Sequence, residues 1–114
     1  MKKIIAAILI IFCGSCAYDN AEELYGEKSC PPQGASFSET IEPIISSNCA
    51  ISGCHVSGQQ LPTLETYAQI STNSDKVKSR TSNGTMPPPS SGLTLTSEEI
   101  EAIACWADAG APDN

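Results

Sequence analysis

The chain holds one histidine, one tryptophan and one arginine: His55, Trp106 and Arg80. A lone histidine excludes paired-histidine ligation of a metal within one chain, and it leaves a peroxidase without a distal imidazole. No Ser/His/Asp set, no acid–base pair with a recognisable role and no phosphate-binding glycine loop is legible, so the chain reads as a non-enzyme. Aromatic residues make up 5% of the 114 residues, little with which to fill a core, and chains of this size usually need staples. Six basic residues face thirteen acidic ones, for a net charge of −7. That balance disfavours nucleic acid and anionic lipid as partners. The apolar run Ile4–Phe12 is too short to stay in a bilayer as a spanning helix. No internal repeat is present.

Cysteine is plentiful by contrast. Six in so short a chain indicate an oxidising compartment. Two of them frame the stretch that organises the sequence, Cys49-Ala50-Ile51-Ser52-Gly53-Cys54-His55. A thiol adds across a haem vinyl group to form a thioether, and the imidazole of the next residue reaches the iron from the same side. The usual attachment pattern is C-x-x-C-H. Here the spacing is C-x4-C-H; Cys54-His55 is intact, and Gly53 tolerates the backbone angles of an outward bulge. Two other readings stand beside haem c: a Cys49–Cys54 disulfide, and a zinc site. Zinc wants four ligands in separated pairs, and no second Cys/His cluster follows.

With His55 on one axial position of an iron, the second falls to Met86, the only methionine besides the initiator. Pro87, Pro88 and Pro89 keep its surroundings out of a helix, which suits a loop presenting a thioether sulfur. The alternative is a methionine packed as core filler. Lys76 and Lys78 are the substitutes should Met86 not bind.

Periodicity predicts an all-α domain. A first helix is expected over Ser38–Ser47, capped by Ser36 or Ser38, with Phe37, Ile41, Ile44 and Ile45 on one stripe and Pro43 in its first turn. A short helix is expected over Leu64–Ile70 behind Thr63, and another turn or two over Asp75–Arg80, ended by Ser82-Asn83-Gly84. The last helix opens on the capping box Thr96-Ser97-Glu98-Glu99 and stops at Gly110. Ile100, Ile103, Ala104 and Ala107 line its apolar face. Trp106 and Tyr67 read as packing residues. Arg80 reads either as a surface residue or as a partner for a haem propionate.

Ile41-Glu42-Pro43-Ile44, Cys54-His55, Met86-Pro87-Pro88 and Trp106-Ala107-Asp108-Ala109-Gly110-Ala111 together resemble a small class I-type cytochrome c domain over Phe37–Asn114. The similarity is greatest to the single-haem, lipoprotein-borne domains of bacterial envelopes. The cysteine spacing is longer than that family's, and the interval from His55 to Met86 is shorter. The resemblance implies a small cytochrome c-like fold of three to four short helices around one covalent haem c. It also implies a first and last helix that cross, and electron transfer with Cys49, Cys54, His55 and Met86 holding the group. A haem-based ligand sensor with a labile or absent Met86 bond, and a haem-free, disulfide-stapled binding lipoprotein, are the alternatives.

Upstream, Lys2, Lys3 and the apolar run read as a signal peptide over residues 1–15. Lipid on Cys16 is expected to anchor the chain to a membrane of the bacterial envelope, facing the periplasm. Cleavage after Ala17 to give a soluble periplasmic protein is the alternative. Residues 16–36 read as an acidic tether and lead-in, and 37–114 as the haem domain. With Cys13 removed, Cys16 lipidated and Cys49 and Cys54 on haem, Cys30 and Cys105 are left to pair; a buried free Cys105 is the alternative. Loss of Lys2 and Lys3 takes the net charge from −7 to −9, so redox partners with a basic docking surface are expected.

Overall fold

The computed structural model describes residues 30–114. The expected signal peptide, the lipidation at Cys16 and residues 16–29 of the tether and lead-in expected over 16–36 lie outside the described residues. Within them the chain is helical, with no strand.

The first helical segment has two parts. Ser36 caps it, its Oγ accepting the Glu39 N–H at 3.2 Å. Phe37–Ile41 then winds as a π-helical turn, in which the Ile41 N–H reaches back to the Ser36 carbonyl at 3.1 Å and the Glu42 N–H to Phe37. Helix α1, Glu42–Asn48, continues from it. Pro43 explains the widened turn: its ring crowds the carbonyl four residues back, and a five-residue register makes room.

Helix α2 spans Tyr67–Thr72, not the expected Leu64–Ile70. The physical reason is a reciprocal cap. Thr66 Oγ1 accepts the Gln69 N–H, while Gln69 Oε1 accepts the N–H groups of Glu65 and Thr66 at 2.9 and 3.1 Å. Leu64 is left in the connection before the helix but is still buried in the core. Helix α3, Ser74–Ser82, is longer than the Asp75–Arg80 expected for it. Pro89–Ser91 adds one 3-10 turn.

Helix α4 spans Ser97–Asp108 and opens on the capping box between Thr96 and Glu99. It ends in a Schellman motif: the Gly110 N–H bonds Ala107 and the Ala111 N–H bonds Trp106, both at 3.0 Å, with Gly110 at φ +91°. Trp106, Ile41, Ile45 and Ile103 are the largest fully buried side chains. Each such side chain stabilises the fold by about 1.5–3 kcal/mol relative to exposure. The π-helical turn packs on α4, and α4 packs on α3. Phe37 joins these parts, edge-on to Tyr67 at 4.9 Å and tilted against Trp106 at 5.7 Å.

The lead-in at 30–36 is part of this unit. Cys30 is disulfide-bonded to Cys105 on α4, Cα to Cα 5.3 Å. A turn follows, with the Gly34 N–H on the Pro31 carbonyl at 2.8 Å. Gly34 lies so close to α4 that a Cβ there would meet Ala109 Cβ at 2.8 Å. The folded unit therefore reaches upstream of Phe37 to Cys30.

Candidate functional site

Helix α1 ends by delivering Cys49 to the core. The N–H groups of Cys49 and Ala50 both bond the Ile45 carbonyl at 2.8 Å, and Cys49 is buried. The residues between the two cysteines loop outward. The Cys54 N–H bonds Ile51 at 2.9 Å, the His55 N–H returns to Cys49 at 3.0 Å, and Gly53 takes φ +84°. Both thiols are free, with Cys54 half-buried.

His55 is held at three points. Besides its own N–H, its carbonyl accepts the Leu64 N–H at 2.9 Å. Its ring Nδ1 lies 2.8 Å from the Pro62 carbonyl oxygen. A carbonyl only accepts, so Nδ1 carries the proton and donates. In the neutral ring Nε2 is then left with its lone pair, the tautomer that binds a metal. The loop that supplies Pro62 is pinned in turn by Glu65, whose carboxylate accepts the Ser57 N–H at 3.0 Å and also the Ser57 hydroxyl.

Met86 is placed from the other side, at the end of α3. The Arg80 carbonyl accepts the N–H groups of Thr85 and Met86, both at 3.0 Å, and the Thr85 hydroxyl at 3.2 Å. Asn83 Oδ1 accepts the Thr85 N–H and hydroxyl, and Gly84 turns the chain at φ +72°.

These two anchored segments meet. Cys49, His55 and Met86 line one cavity of about 350 Å³. Leu61, Pro62 and Leu64 complete one wall, and α3 gives the other through its N-cap residue Asn73 and through Lys76, Val77, Arg80 and Thr81. The α3 residues fall at i, i+3, i+4, i+7 and i+8, one face of a helix. That period is the signal by which this wall is readable in the sequence; its mixed polar and apolar composition hides it from a search for apolar stripes alone. The Pro62 carbonyl has no sequence signal. Cys54 flanks His55 without lining the cavity, and Cys30 and Cys105 are joined on α4. Trp106 donates its indole N–H to the Pro112 carbonyl at 2.9 Å. Tyr67 donates to Ala111 at 2.9 Å.

Burial, with Cys54 adding to it, pushes the Cys49 thiol up to about 11. An unassisted thiolate there is disfavoured at neutral pH. Among the described residues no three His, Cys, Asp or Glu side chains gather as a set of metal donors. The donors that share the cavity are an imidazole and a thioether, with the Cys49 thiol also among its lining residues. That combination matches a haem c iron better than a closed zinc site. No protein-family model matches the chain, nor does any curated protein or solved structure.

Proposed function

We propose that this chain carries electrons on one covalently attached haem c, with His55 and Met86 as axial ligands and Cys49 and Cys54 as the thioether donors, in a cytochrome c-like fold. The observation that carries the reading is the His55 ring. Its Nδ1–H is committed to Pro62, its Nε2 is free, and it shares a cavity with Cys49 and Met86. The residues that line the cavity suit such a group in their chemistry. Apolar side chains and a sulfur make up much of the wall, and an imidazole and a thioether are the donor types a haem c iron takes. When bound, the group supplies the one-electron couple, and His/Met ligation favours its reduced form.

The chain's own residues do the rest. Pro62 fixes the His55 tautomer and ring orientation. Three hydrogen bonds onto the Arg80 carbonyl hold the Met86 loop without help from the iron, so the sulfur is presented with little loss of freedom. The cavity volume is at the low end of the range of about 300–1,000 Å³ for small-molecule sites. A larger planar group would keep part of its edge in solvent, where a partner can approach. In this reading the chain is exported and anchored through lipid on Cys16.

Visible spectroscopy after co-expression with haem-attachment machinery tests the proposal. Sharp α and β bands in the reduced protein are expected, together with a weak far-red band in the oxidised protein that Met86→Ala removes. A high-spin spectrum that shifts with carbon monoxide would instead identify a ligand sensor. Absence of any Soret band would leave a haem-free binding protein.

A further inference from the structure

Charge is distributed unevenly around the cavity. Among the described residues the cationic side chains of lysine and arginine are Lys76, Lys78 and Arg80, all on α3. Lys78 is ion-paired with Asp108 of α4. Lys76 and Arg80 are exposed, have no carboxylate partner among the described residues, and line the cavity; no acidic residue lines it. They are four residues apart, so they stand one turn above the other on the same helix face. Behind them the wall continues into Val77 and Leu64. The result is two unpaired cations over an apolar wall, in a chain of net charge −7.

We propose that Lys76 and Arg80 form a carboxylate clamp, so that the cavity takes a flat apolar ring system bearing two carboxylates on one edge and holds that edge against α3. This rests on the haem reading and deepens it: the two carboxylates are the haem propionates, and Lys76 and Arg80 are the side chains that pair with them. Arg80 offers a planar fork that matches a carboxylate in two hydrogen bonds, and Lys76 adds a point charge one turn away. A neutral ligand of the same shape would leave both cations unpaired beside an apolar surface. With the clamp engaged, the remaining exposed charge is almost wholly acidic, in keeping with a basic redox partner.

The test uses the full chain in haem-free form and two probes, zinc protoporphyrin IX and its dimethyl ester, titrated by fluorescence. Zinc accepts one axial imidazole in either probe, so the comparison isolates the carboxylates. The parent chain is expected to bind the diacid about tenfold more tightly than the ester, each exposed charge pair contributing a factor of up to about five. Lys76→Gln and Arg80→Gln should each lose part of that preference, and the double variant should lose it with ester affinity unchanged. Lys78→Gln, on the same helix but off the cavity, should keep it. Equal binding of the two probes by the parent, or a preference that survives the double substitution, overturns the clamp alone. A parent chain that binds neither probe overturns the clamp, while the haem reading is decided separately by the visible spectrum of the co-expressed protein.

Discussion

The end of the molecule built on α4 and the end built around the cavity are closed by different means. At the α4 end, elements distant in sequence lock onto one another. The Cys30–Cys105 disulfide spans 75 residues, Gly34 lies against Ala109, Tyr67 bonds Ala111, and Asn114 accepts the Phe37 N–H through Oδ1 at 2.7 Å and the Ser38 N–H through its carbonyl at 3.0 Å. At the cavity end, hydrogen bonds run within short loops and converge on two points, the His55 residue and the Arg80 carbonyl. One end therefore supplies stability and the other presents donor groups. Cys49 and Leu64, which belong to the core and also line the cavity, are where the two meet.

That division makes the two ends separable by mutation. The largest effect is expected at His55. His55→Ala should abolish stable holoprotein while the haem-free chain still folds; recovery of normal low-spin haem in this variant would refute the site. Next is the disulfide. Cys105→Ser opens a loop of about 75 residues, and the chain-entropy model puts the loss at about 4 kcal/mol, read from denaturant unfolding. The haem spectrum of the folded fraction should not change. If that spectrum shifts as well, the two ends are coupled and the comparison fails.

Gly34→Ala should cost about 2 kcal/mol, because the residue sits at φ +74° and the added methyl collides with α4. A stability equal to the parent's would mean the lead-in does not pack as described. Thr96→Ala removes the cap of α4 and should cost about 1 kcal/mol, again with the cavity unaffected. The smallest effect concerns partner encounter. Oxidation of the reduced protein by a cationic redox protein should slow as salt rises, since the Debye length falls from about 30 Å at 0.01 M to about 8 Å at 0.15 M. Rates that stay flat over that range would remove surface charge from partner choice.

Much of the α4 end is legible in the sequence, because its signals are local. Thr96 and Glu99 announce the start of the helix, Gly110 its end, and the isoleucine spacing its buried face. The π-helical turn is less so: Pro43 marks a constraint, but only packing shows that a widened turn resolves it. The start of α2 is not legible from residue type, because Thr66 is a threonine like the expected cap Thr63 and the Gln69 side chain decides between them. For the site, residue identity points to Cys49, His55 and Met86, but their sharing of one cavity depends on tertiary structure. The Pro62 carbonyl could not be read at all, since every residue has one. The contribution of Lys76 was hidden in a helix face that looks merely polar.

The most direct measurement is the mass of the Cys49–His55 peptide, from protease digestion of protein co-expressed with haem-attachment machinery. The account predicts that this peptide carries one haem through thioethers to Cys49 and Cys54, with both thiols blocked to alkylation after reduction. A haem-free peptide with Cys49 and Cys54 joined to each other, or with both open to alkylation, would contradict it.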